Sequence, residues 1–425
     1  MIDFDANESC YDILIVGGGV VGCTLALALK PLNLRVALVE PNWHQHPTDS
    51  FDVRQIALSY GSSLIFKGIG VWSKLLNYAT EIKTIHVSHA RHLGAVLLDA
   101  KDQGLASLGY VVELNQMHHL LMEEIKQSKI DLYCPYRVDA LNQSSSCVTV
   151  NISNSDQVKK IKTKTLVATD GVKSFVRQKL NIIPDVYDYN QTAILTNIGL
   201  KRNHHNVAYE RFYPDGPLAM LPLGDKRVSL VWTQKTIHAD RLLAMSDAEF
   251  LATLQKTFGY RLGRLIKVGR RGAFALTRVT HKSISSGRIF FLGSAANHLH
   301  PVAGQGLNMA LRDIATFTQL QKEAIDEGFN KDSHKISELY RQKRTKDQSH
   351  VRALTHGFVK LFSNDSALLG LLNGFALRRL ERLPIVKKWL NDKMMGLGEP
   401  EGALFFGSPL CHDDQQHLQE ETRGQ

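Results

Sequence analysis

The chain has 425 residues, 44% of them hydrophobic, more than one core usually encloses, so two domains are expected. Lys and Arg number 51 against 41 Asp and Glu, a net charge of +10, but the basic residues are spread out and no nucleic-acid module appears, so nucleic acid is not an expected partner. The five cysteines (10, 23, 134, 147 and 411) are odd in number without a CxxC pair, which argues against a zinc site or disulfide framework and fits a reducing cytoplasm. The acidic start MIDFDANES does not read as a signal peptide, and no apolar run reaches the roughly 18 residues that span a bilayer.

In chain order, residues 11–16 read as a parallel strand that runs into Gly17-Gly18-Gly19-Val20-Val21-Gly22 and an apolar helix. This is GxGxxG in the setting it needs: Gly17 for the tight turn, Gly19 for close backbone approach to a pyrophosphate, Gly22 for helix–strand packing. A second strand, 35–39, ends in Glu40, whose carboxylate suits ribose hydroxyls and favours FAD or NAD over the 2′-phosphate of NADP. The Trp43 to Pro47 run reads as a loop, and Arg54 follows in FDVRQIALS. Residues 81–100 and 182–274 contain alternating stretches such as 227–232, the strands of a covering sheet. His86, His89 and His92 recur every third residue without carboxylates to complete a metal set, and the pairs His118-His119 and His204-His205 read as solvated. Residues 143–146 and 151–156 are polar enough for exposed turns. Ala168-Thr169-Asp170-Gly171 is followed by Ser174 and Arg177.

The richest stretch is 287–313, GRIFFLGSAANHLHPVAGQGLNMALRD. An apolar strand over 289–292 ends at Gly293, and Gly304-Gln305-Gly306 opens a helix running through Asp313. Unpaired N–H groups and partial positive charge at that start suit the pyrimidine edge of an isoalloxazine, with His300 and Pro301 lining the ring. Beyond 335 the chain reads as mainly helical. Arg378, Arg379, Arg382, Lys387, Lys388 and Lys393 accompany apolar residues there, an amphipathic basic segment that suits a packed helix, an anionic membrane surface or an acidic partner.

On these three segments and their order, the chain resembles the FAD-dependent aromatic hydroxylases of the p-hydroxybenzoate hydroxylase type, and within them the ubiquinone-biosynthesis hydroxylases. HPVAGQGLNMALRD is very similar to the signature of the ubiquinone hydroxylases and residues 209–212, 216–219 and 221–223 resemble their substrate domain, while the wording of residues 54–58, 109–114 and 361–364 is most similar to the branch acting on 2-polyprenyl-6-methoxyphenol. The resemblance implies an α/β fold: a Rossmann-like FAD-binding domain (1–75, 101–180 and 275–335) interleaved with an α+β substrate domain (76–100 and 181–274), plus a C-terminal helical region (336–425). It implies FAD contacts from Gly17, Gly19, Gly22, Glu40, Arg54, Asp170, Arg177, Gly293, Ser294, Gly304, Gln305, Gly306 and Asn308. Asp170 would lie near the pyrophosphate or ribityl chain and Arg177 near the outer edge. His300, Pro301, Gly304 and Gln305 would form the flavin face, and Tyr209, Arg211 and Tyr213 fall in the substrate segment, with no base assigned.

Three positions depart from the family pattern: Ser294 stands for an aspartate, Ala310 for a glycine and Thr169 for an alanine. The implied chemistry is reduction of FAD by transiently bound NAD(P)H, formation of a flavin hydroperoxide with dioxygen, and oxygen transfer to an electron-rich phenol carbon in a pocket that excludes water. The alternatives are a paralogue acting at another ring carbon, a flavin oxidase or dehydrogenase, or a flavoprotein that only binds a quinone precursor. A polyprenyl tail of about forty carbons prefers lipid to water by roughly 30 kcal/mol, so the resemblance also implies a membrane surface or a lipid-binding partner, with the enzyme cytoplasmic and peripheral at the inner membrane. A homo-oligomer is compatible with the sequence.

Overall fold

Ile13, Leu14, Ile15 and Val16 are all buried, and a strand apolar on both faces belongs in the middle of a covered parallel sheet. In the computed structural model, which describes residues 9–42, 54–90, 95–281, 283–299, 304–329, 333–362, 392, 395–397 and 401–411, the strand Ser9–Val16 lies between Val158–Ala168 and Val36–Val39, parallel to both. Ile289–Phe291 extends the sheet in parallel on one side and Asp131–Tyr133 on the other. Val16 is registered against Ala168, and Ala168 against Phe291. The segments that follow these three residues, beginning at Gly17, Thr169 and Leu292, therefore leave the sheet side by side at its carboxyl edge, where α/β proteins bind ligands.

The helix Val20–Leu29 is buried on nearly every side because it packs on the sheet and against both Leu114–Lys126 and Gln305–Asp326. Farther along the same core Phe290, Phe317 and Tyr340 meet edge to face, with centroids 5.1 to 6.0 Å apart. Tyr340 belongs to Ser333–Phe362, the long helix expected after residue 335. The basic segment around Arg378 to Lys393 lies outside the described residues. Asn151 to Ser153, expected in a turn, instead extend the strand Val148–Ser153, since Ile152 is buried there and the turn begins at Asn154.

A second sheet runs in the order Leu265–Val268, Asp185–Leu200, Arg227–Lys235, Gly216–Leu223, Val207–Tyr213, Thr84–His89, Ala95–Asp99, with Gly272–Thr280 also paired to Asp185–Leu200. One face buries Ile194, Leu218, Met220, Leu230 and Trp232 under the helices Thr236–Ala244 and Asp247–Phe258, the latter started by a Ser246/Glu249 capping box. The other face looks toward a small sheet, Gln55–Ser59, Gly109–Glu113 and Ala79–Ile82, that links the two halves. Leu58 and Val112 of this linker face the first core, whereas Val111 and Ile82 pack on Ala208 and Leu223 of the second sheet. Ala79–Ile82 overlaps the start of the expected substrate region but pairs with Gly109–Glu113 here. Among the described residues no helix is long and apolar enough to cross a membrane.

Candidate active site

Gly17 leaves the first strand at φ +106°, and its N–H donates to the Val39 carbonyl at 2.9 Å. The Thr169 hydroxyl donates to the carbonyls of Val16 and Gly17 at 3.0 and 2.7 Å, so this departure from the family alanine ties the first motif to the second. A Cβ at Gly22 would overlap the Gly17 carbonyl, while one at Gly19 would meet nothing within 4 Å. Val20–Leu29 has no side-chain cap and no acid in its first turn, which leaves unpaired N–H groups and positive partial charge beside that open space. Glu40 accepts from the Gly18 N–H at 2.7 Å through one oxygen and from the Asn42 N–H at 2.9 Å through the other. Each oxygen keeps acceptor capacity for a ribose hydroxyl. His118, expected to be solvated, instead bonds through Nε2 to the Gly18 carbonyl at 2.7 Å, and the Cys23 thiol bonds to the same oxygen at 3.0 Å. Burial raises that thiol well above its ordinary range and keeps it a neutral donor.

In the second motif, Asp170 Oδ2 accepts from the Val176 N–H at 3.1 Å, while Oδ1 is buried with no partner among the described residues. An acceptor orphaned at this edge matches the hydroxyl-rich ribityl and ribose portions of a dinucleotide. Burial raises its carboxyl above the usual range. Ser174 caps the short helix Phe175–Lys179 by accepting from the Arg177 N–H at 3.1 Å. The Arg177 guanidinium, expected near the cofactor's outer edge, is buried. It donates to the Ala295 carbonyl at 2.9 Å, to His281 Nε2 at 3.0 Å and to the Val172 carbonyl, and so clamps the second motif to the third. Burial and the adjacent Arg177 charge push His281 down to about 4, which keeps Nε2 an acceptor.

The third motif turns at Gly293 (φ +61°), where a side chain would lie 3.2 Å from the γ-carbons of Val21. Ser294 follows on the exposed side of that turn, and Asn297 is buried, its Nδ2 donating to Gln348 at 2.9 Å. Gly304, at φ +60°, starts the helix Gln305–Asp326, which also has neither a side-chain cap nor an acid in its first turn. Gly306 is exposed, and a Cβ there would meet nothing within 4 Å. Asn308 is occupied within the protein: Oδ1 accepts from the Ser59 N–H and the Ser62 hydroxyl at 2.9 and 2.7 Å, and Nδ2 donates to the carbonyls of Ala57 and Gly304 at 3.1 and 2.8 Å. It therefore positions the helix start against the linking sheet. His300 and Pro301 lie outside the described residues. Arg54 is exposed, with its guanidinium 5.2 Å over the ring of Phe274 on the second sheet.

Tyr209, Arg211 and Tyr213 alternate along Val207–Tyr213 and share one face, the outer one. The Tyr213 hydroxyl donates to the Thr257 carbonyl at 2.7 Å, Arg211 donates to the Phe258 carbonyl at 2.8 Å, and the Tyr209 ring meets Phe258 edge to face at 5.4 Å. They hold the helix Asp247–Phe258 to the sheet. The strand's inward residues are Ala208, Glu210 and Phe212. His204, another expected surface histidine, is buried and bonds to the Gly224 carbonyl. A surface cleft of about 520 Å³ lined by Leu243, Asp247, Lys267 and Arg271 lies on the outer helix side and contains none of the glycine turns.

Residues 10–352 match a family described as an FAD binding domain, a span that contains all three motifs. The ubiquinone hydroxylase UbiL of Rhodospirillum rubrum is 31% identical over 95% of this chain and 94% of its own length. The chain belongs to the FAD-dependent ubiquinone-biosynthesis hydroxylase family. This FAD-dependent monooxygenase is also 29% identical to the 3-demethoxyubiquinol 3-hydroxylase of Escherichia coli, over 91% of this chain and 98% of the relative. Its fold is shared with p-nitrophenol 4-monooxygenase PnpA from Pseudomonas putida, at a TM-score of 0.76 and 18% identity over 93% of this chain and all of that one. The open space at Gly19 and Gly306, the two uncapped helix starts and the orphaned Asp170 oxygen fit FAD.

Proposed function

We propose that this hydroxylase converts 2-polyprenyl-6-methoxyphenol to 2-polyprenyl-6-methoxy-1,4-benzoquinol with dioxygen and NAD(P)H. The reading rests on the convergence of the three motifs at Val16, Ala168 and Phe291, beside a second sheet whose inward face carries Leu195, Ala219, Leu221 and Val231. Relatives over nearly its whole length named as ubiquinone hydroxylases support the substrate class. Bound FAD supplies the electrons and the activated oxygen. The chain's own groups do the rest. The start of Val20–Leu29 would hold the pyrophosphate, Glu40 and Asp170 would take hydroxyls, and the start of Gln305–Asp326 would offer N–H groups to negative charge on the ring. Leu195, Ala219, Leu221 and Val231 share the inward face of the second sheet and would supply the apolar wall that such a reaction needs. The tail stays in lipid, so the enzyme works at the cytoplasmic face of the inner membrane or receives its substrate from a lipid-binding partner.

The identity to a 3-demethoxyubiquinol 3-hydroxylase favours hydroxylation at a different ring carbon as the second reading. Quinone profiling of a deletion strain complemented in air separates the two. Accumulation of the prenylated methoxyphenol, relieved by the wild-type chain and not by Gly19→Val, is the expected result. A different accumulated precursor moves the assignment to another ring carbon, and unchanged ubiquinone removes the pathway altogether.

A further inference from the structure

Glu210 is the acidic residue among the inward-facing residues of Val207–Tyr213. It lies between Ala208, which packs on Ile82 and Val111 of the linking sheet, and Phe212, which packs on Val96, Leu98 and Leu108. Across the sheet its registered neighbours are Val87 on one side and Ala219 on the other, followed by Val231 and Leu195. All point to the same face, since registered partners do. The carboxylate thus stands in an apolar row, with no hydrogen-bond or ion-pair partner among the described residues. Yet it is only half-buried, as are Leu195, Leu221, Val231 and Val87, so the middle of this face is an open wall flanked by packed patches. The opposite wall carries Gln55, on the face of Gln55–Ser59 away from Leu58, and its Nε2 is buried without a partner. Ala57 on that same face lies against Gly304 at the start of the flavin helix. The Glu210 carboxylate and the Gln55 amide nitrogen are thus polar groups without partners among the described residues, set on facing sheets on the side where Ala57 meets Gly304.

We infer that Glu210 is the catalytic base of the hydroxylation, taking the proton of the substrate phenol; the inference rests on the proposed hydroxylase reading. The phenol O–H bond breaks, the proton passes to a Glu210 carboxylate oxygen, and the bonding pair stays on the phenolate oxygen, which enriches the para carbon that receives oxygen. The inserted oxygen and the electrons come from dioxygen and NAD(P)H. When the ring regains aromaticity, the hydrogen on the attacked carbon leaves as a proton that ends in the water formed from the other atom of dioxygen, and the Glu210 carboxyl returns its proton to the phenolate oxygen. Loss of solvent pushes the Glu210 carboxyl up to about 7, close to the pH at which a general base works best. The other charged or titratable groups on this face are His89, one row away with Nδ1 on the Ala90 carbonyl, Arg54 over Phe274, and the Arg227–Glu113 pair. Arg211, next in sequence, points to the outer face.

The test uses FAD-loaded enzyme with 2-prenyl-6-methoxyphenol, reading product by mass and NAD(P)H consumed across pH. In the wild type the product rate rises with pH through about 7, because only the ionised carboxylate accepts a proton. Glu210→Gln keeps its FAD and its NAD(P)H oxidation, loses product formation by about 100-fold or more, and shifts its pH rise toward the phenol's own range near 10. Glu210→Asp restores part of the rate. An unchanged pH profile and product yield in Glu210→Gln overturns the inference, as does loss of FAD from both variants, which marks a structural role. Wild-type enzyme that oxidises NAD(P)H with this probe but yields no hydroxylated product overturns the hydroxylase reading and the inference with it.

Discussion

A methyl group added at Gly19 projects into open space, whereas the same methyl at Gly22 runs into the Gly17 carbonyl and the Thr169 hydroxyl. The two glycines therefore fail differently. Gly19→Ala is expected to give a folded protein with the thermal midpoint of wild-type apoprotein but little bound flavin, because the methyl occupies the approach path of the pyrophosphate. Gly22→Ala is expected to destabilise apoprotein and holoprotein alike, by about 1–3 kcal/mol or more, through overpacking. Melting curves with and without FAD, beside flavin absorbance of the purified variants, check both; equal behaviour of the two would refute the division of labour. These roles were legible in the sequence because they depend on backbone and on residues a few positions apart. Asn308, His118 and Glu210 were not. Apart from Gly304, the partners of Asn308 and His118 lie 100 or more residues away, and Glu210 is flanked by Tyr209 and Arg211, whose chemistry draws attention to the other face of the strand. Alternation says that neighbours point oppositely, but which side is inward depends on packing with the linking sheet.

At the scale of elements, the flavin helix Gln305–Asp326 is fixed from behind by Ser333–Phe362. Asp313 Oδ1 accepts from Arg344 Nε at 2.6 Å and from Gln348 at 3.0 Å, while Asp347 accepts from Arg312 at 3.0 Å and Arg344 at 2.8 Å. Asp313 and Arg344 are both fully enclosed, so neither charge has water as a fallback. Arg344→Met is expected to cost about 3–5 kcal/mol in urea unfolding, since it strands Asp313 as an uncompensated buried acid. The double variant Arg344→Met with Asp313→Leu should recover a large part of that loss, and additive costs would show that the pair is not coupled. Asp313 closes the 287–313 stretch and was readable as part of it. The residues that hold it sit 31 to 35 positions later on a helix whose periodicity says only that it is a helix.

Over the whole molecule, the requirement that three distant segments meet was legible, because each carries a part of one cofactor site. The register that brings them together was not, since parallel pairing of Val16, Ala168 and Phe291 is decided by burial of entire strands. Nor was the small linking sheet, whose strands are only four or five residues long and lie far apart in the chain. One detail of the second sheet reaches further. Asp185 and Thr280 are opposite one another in antiparallel register, so the chain departs for the substrate half and comes back through adjacent residues, like the two leads of a plug. A homologue's 185–280 stretch can be spliced in at that point, but Thr84–His89 lies in parallel against Val207–Tyr213 and would then meet a foreign edge. A chimaera exchanging 185–280 alone is expected to be poorly soluble, and one that also exchanges 84–99 to fold, keep FAD and take on the donor's ring-carbon preference. Ring-carbon preference would then move between homologues only as two pieces of gene exchanged together, because separating them leaves Thr84–His89 against a foreign edge.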